Sequence, residues 1–264
     1  MRASLIQIAV DPDEPVADRR ARAARLVREE RGAADLVVLP ELWPVGAFAA
    51  DLFGPESEPL HGPTYDAMAA AARDAEVWLH AGSFVEAVGG ALYNTSLVFS
   101  PSGELAAAYR KIHRFGFDKG EAVLMAAGED LVTVRLPGTT LGVATCYDLR
   151  FPELFRGLVD AGAEILVVPA GWPERRRAHW TLLAQARAVE NQAFVLACGT
   201  AGTHAGVPQA GHSIVVDPWG EVLAQAGAGE QVLTVEFDPG KVALTRDQFP
   251  ALKDRMLGLA TPRR

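Results

Sequence analysis

Cysteine is scarce in this chain of 264 residues, which contains only Cys146 and Cys198. Two cysteines cannot form a disulfide framework, and they lack the spacing of a cysteine-rich zinc site. The six histidines show no HxH or HExxH pattern. The sequence therefore predicts a protein without a metal centre.

Long apolar runs and an excess of basic residues are also missing. No segment approaches the roughly 20 apolar residues of a membrane span, and Met1–Val10 lacks the length and cleavage site of a signal peptide. The 25 basic residues are spread along the chain and are outnumbered by 33 acidic residues, for a formal net charge of −8. This balance argues against nucleic acid or an anionic membrane as a partner. We therefore expect a soluble cytoplasmic protein.

Hydrophobic residues make up 49% of the chain, which is enough for a sizeable core. Apolar strands alternate with amphipathic helices, a pattern that is typical of α/β sheets covered by helices. The predicted strands are 3–10, 35–40, 77–84, 91–100, 104–110, 131–136, a short strand from 141, 164–168, 193–198, 212–216 and 221–224, and the predicted helices are 15–30, 63–75, 150–161 and 179–191. Residues 111–128 have no clean period and predict an irregular loop. Since no linker divides the chain, we predict one domain over 1–264, with 241–264 as a C-terminal arm and the hairpin 212–224 completing the core.

Two segments of the chain resemble each other. Asp35-LVVLPELWP and Glu164-ILVVPAGWP align in one register, which suggests two similar sheet halves related by approximate symmetry. The first segment has Glu41 where the second has Ala170. A carboxylate at the end of a buried strand is costly without a partner. Glu41 is therefore a candidate site residue, the alternative being an exposed loop glutamate.

Cys146 lies where an apolar strand turns into a helix. The positive end of a helix dipole favours the thiolate, which is the reactive form of cysteine. A buried structural cysteine is the alternative at this corner, and Cys198, in an apolar strand, is predicted to be a core residue. Lys111 also follows a predicted strand, and its compact ammonium suits a thiolate or a developing oxyanion. Because chemistry in α/β sheets gathers at strand ends, Glu41, Lys111 and Cys146 are grouped as one candidate site.

A set of motifs occurs in an order that is highly specific, although each motif alone is weak. They are Leu39-Pro40-Glu41, Tyr109-Arg110-Lys111-Ile112-His113, Cys146-Tyr147-Asp148-Leu149-Arg150-Phe151-Pro152-Glu153, Ala186-Arg187-Ala188-Val189-Glu190-Asn191-Gln192, and Gly211-His212-Ser213 followed by Asp217-Pro218-Trp219-Gly220. On these motifs the sequence resembles the carbon–nitrogen hydrolase (nitrilase) superfamily over nearly its whole length. It is most similar to the omega-amidases and deaminated-glutathione amidases, which share these motifs. The resemblance implies a four-layer α-β-β-α sandwich, and a homodimer or higher homo-oligomer.

The resemblance also implies an activity. Glu41, Lys111 and Cys146 match the catalytic set, and Glu121 fits the second glutamate of the family, with Glu129 as the alternative. The implied reaction is hydrolysis of a small carboxylate-bearing primary amide through a cysteine thioester, which needs no metal or organic cofactor. Deaminated glutathione, N-carbamoyl compounds and nitriles are alternative substrates, since the motifs do not separate them.

Several residues are candidates for substrate binding. The backbone N–H of Tyr147 is expected to help hold the oxyanion, and Arg150 to fix a substrate carboxylate or form a salt bridge at the corner. Phe115, Trp172 and His179 are predicted either as pocket walls or as core residues. The run Arg175-Arg176-Arg177 predicts a solvated helix start or a basic mouth for acidic substrates.

Two rival interpretations remain open. A Cys/His hydrolase would use His113, His179 or His212, because the partners of a triad are distant in sequence. A catalytically silent binding scaffold on the same fold is the other.

Overall fold

Two six-stranded sheets lie face to face in the computed structural model, which describes residues 1–257. The strands are β1 (Arg2–Gln7), β2 (Leu36–Val38), β3 (Trp78–Val88), β4 (Ala91–Phe99), β5 (Leu105–Arg110), β6 (Val132–Leu136), β7 (Thr139–Val143), β8 (Ile165–Ala170), β9 (Phe194–Gly199), β10 (Thr203–His204), β11 (Val207–Pro208), β12 (Ile214–Val216), β13 (Val222–Gln225) and β14 (Gln231–Glu236). The α-helices are α1 (Val16–Glu29), α2 (Pro63–Ala75), α3 (Glu121–Leu124), α4 (Pro152–Asp160), α5 (Arg177–Asn191) and α6 (Lys241–Gln248). The first sheet has the order β14-β1-β2-β3-β4-β5 and the second β13-β12-β9-β8-β7-β6.

The core is divided into layers by the alternation of side chains along the strands. In β2, Val37 packs with the inner faces of α1 and α2, whereas Leu36 and Val38 face the second sheet. Helices α4 and α5 cover the outer face of the second sheet in the same way. Because successive strand residues point to opposite faces, fully apolar strands fill both the helix–sheet and the sheet–sheet interfaces. The predicted α-β-β-α sandwich is confirmed.

The internal similarity of the sequence corresponds to equivalent places in the two sheets. Strands β1, β2 and β3 run parallel with β2 in the middle, and β7, β8 and β9 run parallel with β8 in the middle. Glu41 and Ala170 therefore lie at the carboxyl ends of the two central strands. The predicted symmetry between the sheet halves agrees with this topology.

The sequence interpretation misses several elements. Strand β14 pairs antiparallel with β1 at the edge of the first sheet, so the prediction that the hairpin 212–224 completes the core is wrong. Four of its six residues are exposed, and such an edge strand carries little of the apolar signal of a central one. The short hairpin of β10 and β11 was also not predicted, and α3 interrupts the predicted irregular loop 111–128.

The first part of the predicted C-terminal arm folds back on the two sheets. Val242 in α6 is buried in the interface between them, and Arg246 donates a hydrogen bond to the carbonyl of Ala163. Residues 258–264 of the arm lie outside the described residues. Within residues 1–257, every helix is too short or too polar to cross a membrane.

Candidate active site

Glu41 is buried at the end of β2, with 1% of its surface exposed. Its Oε2 accepts a hydrogen bond of 2.8 Å from the backbone N–H of Gly171, at the end of β8. A Cβ atom at Gly171 would lie 2.4 Å from the Cβ of Ala47, so a side chain at this position would clash with Ala47. The two related strand ends thus meet at one carboxylate, and the alternative of an exposed loop glutamate is wrong.

Lys111 follows β5 and is as deeply buried as Glu41. Its Nζ donates hydrogen bonds of 2.6 Å to Oε1 of Glu41 and 2.6 Å to Oε2 of Glu121. Burial disfavours the ammonium, but the charges of Glu121 and Glu41 outweigh burial and raise the pKa of Lys111 well above its usual value. Lys111 is therefore a permanent cation between two carboxylates.

Glu121 is carried by α3 and is buried. Besides the Lys111 contact, its Oε2 accepts a hydrogen bond of 3.0 Å from the backbone N–H of Phe115, which ties the loop to the site. Burial, together with the charge of Glu41, raises the pKa of Glu121. Glu129, the alternative second glutamate, is exposed on the loop after α3. The structure therefore brings Glu121 to Lys111 and leaves Glu129 outside.

Cys146 lies after β7 with φ of +48°, a strained conformation for a residue with a side chain. It begins a 3₁₀-helix, Cys146–Arg150, which is capped by reciprocal hydrogen bonds between Thr145 and Asp148. Burial raises the pKa of the Cys146 thiol well above its usual value, as do the charge of Glu41 and a hydrogen bond with it, while Lys111 opposes the shift. The raised pKa goes against the expected thiolate, because burial and the Glu41 carboxylate together outweigh the effect of a short 3₁₀-helix.

The histidines proposed for a rival Cys/His site lie elsewhere. His113 shares a hydrogen bond with Asp148, and His179 shares one with the guanidinium of Arg150. The backbone N–H of His212 donates to Gly227. The charges with the largest effect on the pKa of Cys146 are those of Glu41 and Lys111. This arrangement favours a carboxylate as the base.

A small cavity opens over Cys146. Four predicted substrate-binding residues line it together with Glu41 and Glu121: Phe115, Tyr147, Arg150 and Trp172. His179 is the exception, since it is exposed and supports Arg150 rather than lining the cavity. Cys198 lies in the sheet–sheet core as predicted.

The sequence interpretation named Arg176 only within a basic run, and it did not single out Asn94. Arg176 lines the cavity, with its guanidinium carbon 5.1 Å from the centroid of the Phe115 ring, whereas Arg175 and Arg177 are exposed. Asn94 donates hydrogen bonds to Glu41 and Glu121. Asparagine is unfavourable within strands, so a buried asparagine in β4 was the available signal.

Comparison with known proteins places this geometry in a family. The model of the carbon-nitrogen hydrolase family matches residues 2–247. The chain belongs to that family. Among known relatives of this carbon-nitrogen hydrolase, a 2-oxoglutaramate amidase of Paenarthrobacter nicotinovorans is 42% identical, covering 95% of this chain and 87% of that protein.

Two further relatives support the assignment. Omega-amidase NIT2 of Mus musculus is 36% identical, covering 98% of this chain and 96% of that protein. Among solved structures, a CN-hydrolase superfamily protein of Xanthomonas campestris, with an arsenic adduct in its active site, superposes with a TM-score of 0.90 at 30% identity. That match covers 99% of each chain.

Proposed function

We propose that this carbon-nitrogen hydrolase is an omega-amidase-like enzyme, which hydrolyses a small carboxylate-bearing primary amide through a thioester on Cys146. One observation carries the proposal: Cys146, Glu41 and Glu121 line one cavity as a nucleophile, a base and a second carboxylate, and the ammonium of Lys111 bonds to both glutamates. The two relatives are named as a 2-oxoglutaramate amidase and an omega-amidase, and these names support the same class of substrate here.

The first step needs a base because the thiol is protonated at rest. Both the charge of Glu41 and a hydrogen bond with it act on the Cys146 thiol and raise its pKa. Glu41 takes the thiol proton while Sγ forms a bond to the amide carbon, and the carbonyl π electrons move onto oxygen. This is the nucleophile–base pairing of covalent catalysis, with a carboxylate in place of a histidine.

The resulting oxyanion is held by Lys111 and the backbone of the cysteine corner. Two of the three N–H groups of Lys111 donate to carboxylates, which leaves one for the substrate oxygen. Tyr147 is the second residue of the 3₁₀-helix, where backbone N–H groups have no partner within a helix. Loss of one such donor costs about 3–4 kcal/mol of transition-state stabilisation.

Collapse of the tetrahedral intermediate releases ammonia. The carbon–nitrogen bond breaks, the protonated Glu41 gives its proton to the leaving nitrogen, and the acyl group stays on Sγ as a thioester. Glu41 then removes a proton from water, whose oxygen attacks the thioester carbon. The carbon–sulfur bond breaks, the sulfur regains a proton, and a carboxylic acid leaves.

Two arginines support a carboxylate on the substrate. Arg150 and Arg176 both line the cavity, and neither forms an ion pair with a carboxylate in the described residues. Arg150 instead lies 5.0 Å from the Trp172 ring and bonds to His179, while Arg176 lies over Phe115. Both guanidinium groups are half-buried, and this mouth is suited to a carboxylate that the substrate brings.

Ammonia release from a panel of amides tests the proposal. The panel holds monoamides of short dicarboxylic and 2-oxo acids, neutral amides of equal length, deaminated glutathione, N-carbamoyl amino acids and nitriles. We expect release from the monoamides that Cys146→Ala abolishes and Cys198→Ala retains. Release that survives in Cys146→Ala, or none from any carboxylate-bearing amide by the folded protein, would refute the proposal.

We also propose that the chain forms a homodimer through an apolar surface around α5. Leu182 and Val189 lie two helical turns apart on the exposed side of α5. Val189 contacts the turn at Gly220. The ring of Trp219 lies 6.3 Å from that of Phe249, which extends the surface. Large exposed apolar patches mark association sites. Sedimentation should give twice the chain mass, and Leu182→Glu together with Val189→Glu should return the monomer.

A further inference from the structure

Asn94 lies between the two buried carboxylates of the candidate site. Its Nδ2 donates a hydrogen bond of 2.9 Å to Oε1 of Glu41 and one of 2.5 Å to Oε1 of Glu121. Its backbone carbonyl accepts a hydrogen bond of 2.9 Å from the N–H of Lys111. Asn94 is 2% exposed. One planar amide thus bridges both carboxylates and is attached to the residue that carries the ammonium.

The charges of the cluster explain why a neutral donor is needed there. Glu41 and Glu121 together carry two negative charges when ionised, and Lys111 supplies only one positive charge. An uncompensated buried charge is costly unless hydrogen bonds satisfy it. The amide of Asn94 has two N–H groups, and each carboxylate receives one of them. Asn94 therefore stabilises both carboxylates without adding a charge.

The Oδ1 atom of Asn94 shows that the hydrogen bonds of its N–H groups determine the orientation of the amide. Oδ1 of Asn94 is buried and has no hydrogen-bond donor among the described residues. An unsatisfied acceptor costs free energy, yet the reversed amide would place that oxygen against the two carboxylates. The hydrogen bond from Asn94 also opposes the rise in the pKa of Glu121 that burial causes.

We propose that Asn94 is a positioning residue, which fixes Glu41 and Glu121 on either side of Lys111 and keeps Glu41 ready to accept the proton of Cys146. The inference rests on the proposed function, because it assigns Asn94 a part in that reaction. Asn94 does not line the cavity over Cys146. Its loss should therefore change proton transfer rather than substrate binding.

The test follows alkylation of Cys146 by iodoacetamide as a function of pH, which requires no substrate. Peptide mass spectrometry separates Cys146 from Cys198. In Asn94→Ala both donors are lost, so the carboxylates hold a proton to higher pH and the base is blocked there. We expect the acidic limb of the alkylation profile to shift to higher pH by about one unit. At pH values below the limb, the alkylation rate should fall about tenfold. Asn94→Ser, with one donor, should lie between Asn94→Ala and the parent.

A charge exchange distinguishes this role from general damage to the site. Asn94→Asp places a third carboxyl group in the cluster and should shift the acidic limb of the alkylation profile to still higher pH. Asn94→Asp combined with Glu121→Gln restores two carboxylates, one amide and one ammonium, and should return the limb towards its parental position. Thr95→Val is the matched control, because Thr95 is the next residue of β4 and donates to Glu86, outside the site.

Three outcomes would overturn the inference. One is a parental profile in the Asn94→Ala, Asn94→Ser and Asn94→Asp variants. The second is an equal loss of rate at every pH, which is the mark of a merely structural role. The third is a shift of the same size in Thr95→Val. If Asn94→Ala fails to fold, the serine variant and the charge exchange decide. Ammonia release by the parent is measured separately, so a failure of the proposed function does not affect the result for Asn94.

Discussion

The phenol of Tyr109 donates a hydrogen bond of 2.7 Å to Oδ2 of Asp148. Tyr109 comes two residues before Lys111 and Asp148 two residues after Cys146, so this bond ties the cation of the first sheet to the nucleophile of the second. Asp148 is fully buried and also accepts from the backbone N–H groups of His113 and Thr145. The bond therefore fixes the separation of Lys111 and Cys146.

Tyr109→Phe should weaken both the fold and the reaction. A hydrogen bond to a buried charge contributes about 1.5–3 kcal/mol, and we expect the free energy of unfolding in urea to fall by that amount. We expect kcat to fall several-fold, because loss of the bond shifts the cysteine corner relative to Lys111. Tyr65→Phe is the control, since the Tyr65 hydroxyl has no hydrogen bond to the other described residues. Equal effects in the two variants would contradict the role of Asp148.

Substitution of either glutamate proposed for catalysis should reduce activity strongly, whereas substitution of Glu129 should not. Glu41→Gln keeps a group that accepts from Gly171 but cannot take the thiol proton, so we expect kcat/KM to fall by at least about a thousandfold. Glu121→Gln weakens the hold on Lys111 and should cost about a hundredfold. Glu129→Gln, on the exposed loop, should keep parental activity. Turnover of the best monoamide measures all three, and a large loss in Glu129→Gln would show that the second glutamate is misassigned.

The role of Glu41 could be predicted from the sequence, whereas that of Asn94 could not. Glu41 was predictable because the related segment has Ala170 in its place, which shows that the fold does not need a carboxylate there. Lys111 and Cys146 lie at strand ends, where an α/β sheet gathers its site. Asn94 meets Glu41 from 53 residues away, and no period or spacing encodes a side-chain contact between two strands.

The same limit applies to the protonation of the Cys146 thiol and to the placement of Arg176. A helix start favours thiolate at Cys146, but the opposing carboxylate of Glu41 reaches it only through the folded sheets. Arg175, Arg176 and Arg177 are identical in sequence, and the turn before α5 decides that Arg176 faces the cavity. Local patterns therefore predict the elements and their ends, whereas the electrostatics of the site depends on contacts between distant segments.

His204 should make the fold sensitive to acid. Burial, with a smaller effect from Arg19, lowers the pKa of His204 to about 4, and neither ring nitrogen has a partner in the described residues. The unfolded chain has a histidine pKa of about 6.5. Because the folded pKa is the lower one, the stabilising contribution is present above pH 6.5 and is lost as the pH falls through 4. The shift corresponds to about 3 kcal/mol.

His204→Phe removes that proton-binding group and preserves a ring beside Phe48, which lies 6.0 Å away. We expect the loss of unfolding free energy between about pH 7 and pH 4 to be smaller than in the parent by up to about 3 kcal/mol. Urea titrations at several pH values measure it, with the exposed His61→Phe as control. An acid-induced loss as large as that of the parent would show that His204 is not the group responsible.

Arg176 should determine the preference for carboxylate-bearing amides. Arg176→Met keeps the apolar contact with Phe115 but removes the charge, so the monoamide of a dicarboxylic acid should show a KM raised about tenfold or more, whereas a neutral amide of the same length should be nearly unaffected. Arg177→Met is the matched control, since Arg177 is exposed and pairs with Glu174 at 3.5 Å. The ratio of kcat/KM for the charged and neutral amides is the decisive measurement. A ratio that stays parental in Arg176→Met and falls in Arg150→Met would assign the carboxylate to Arg150 alone.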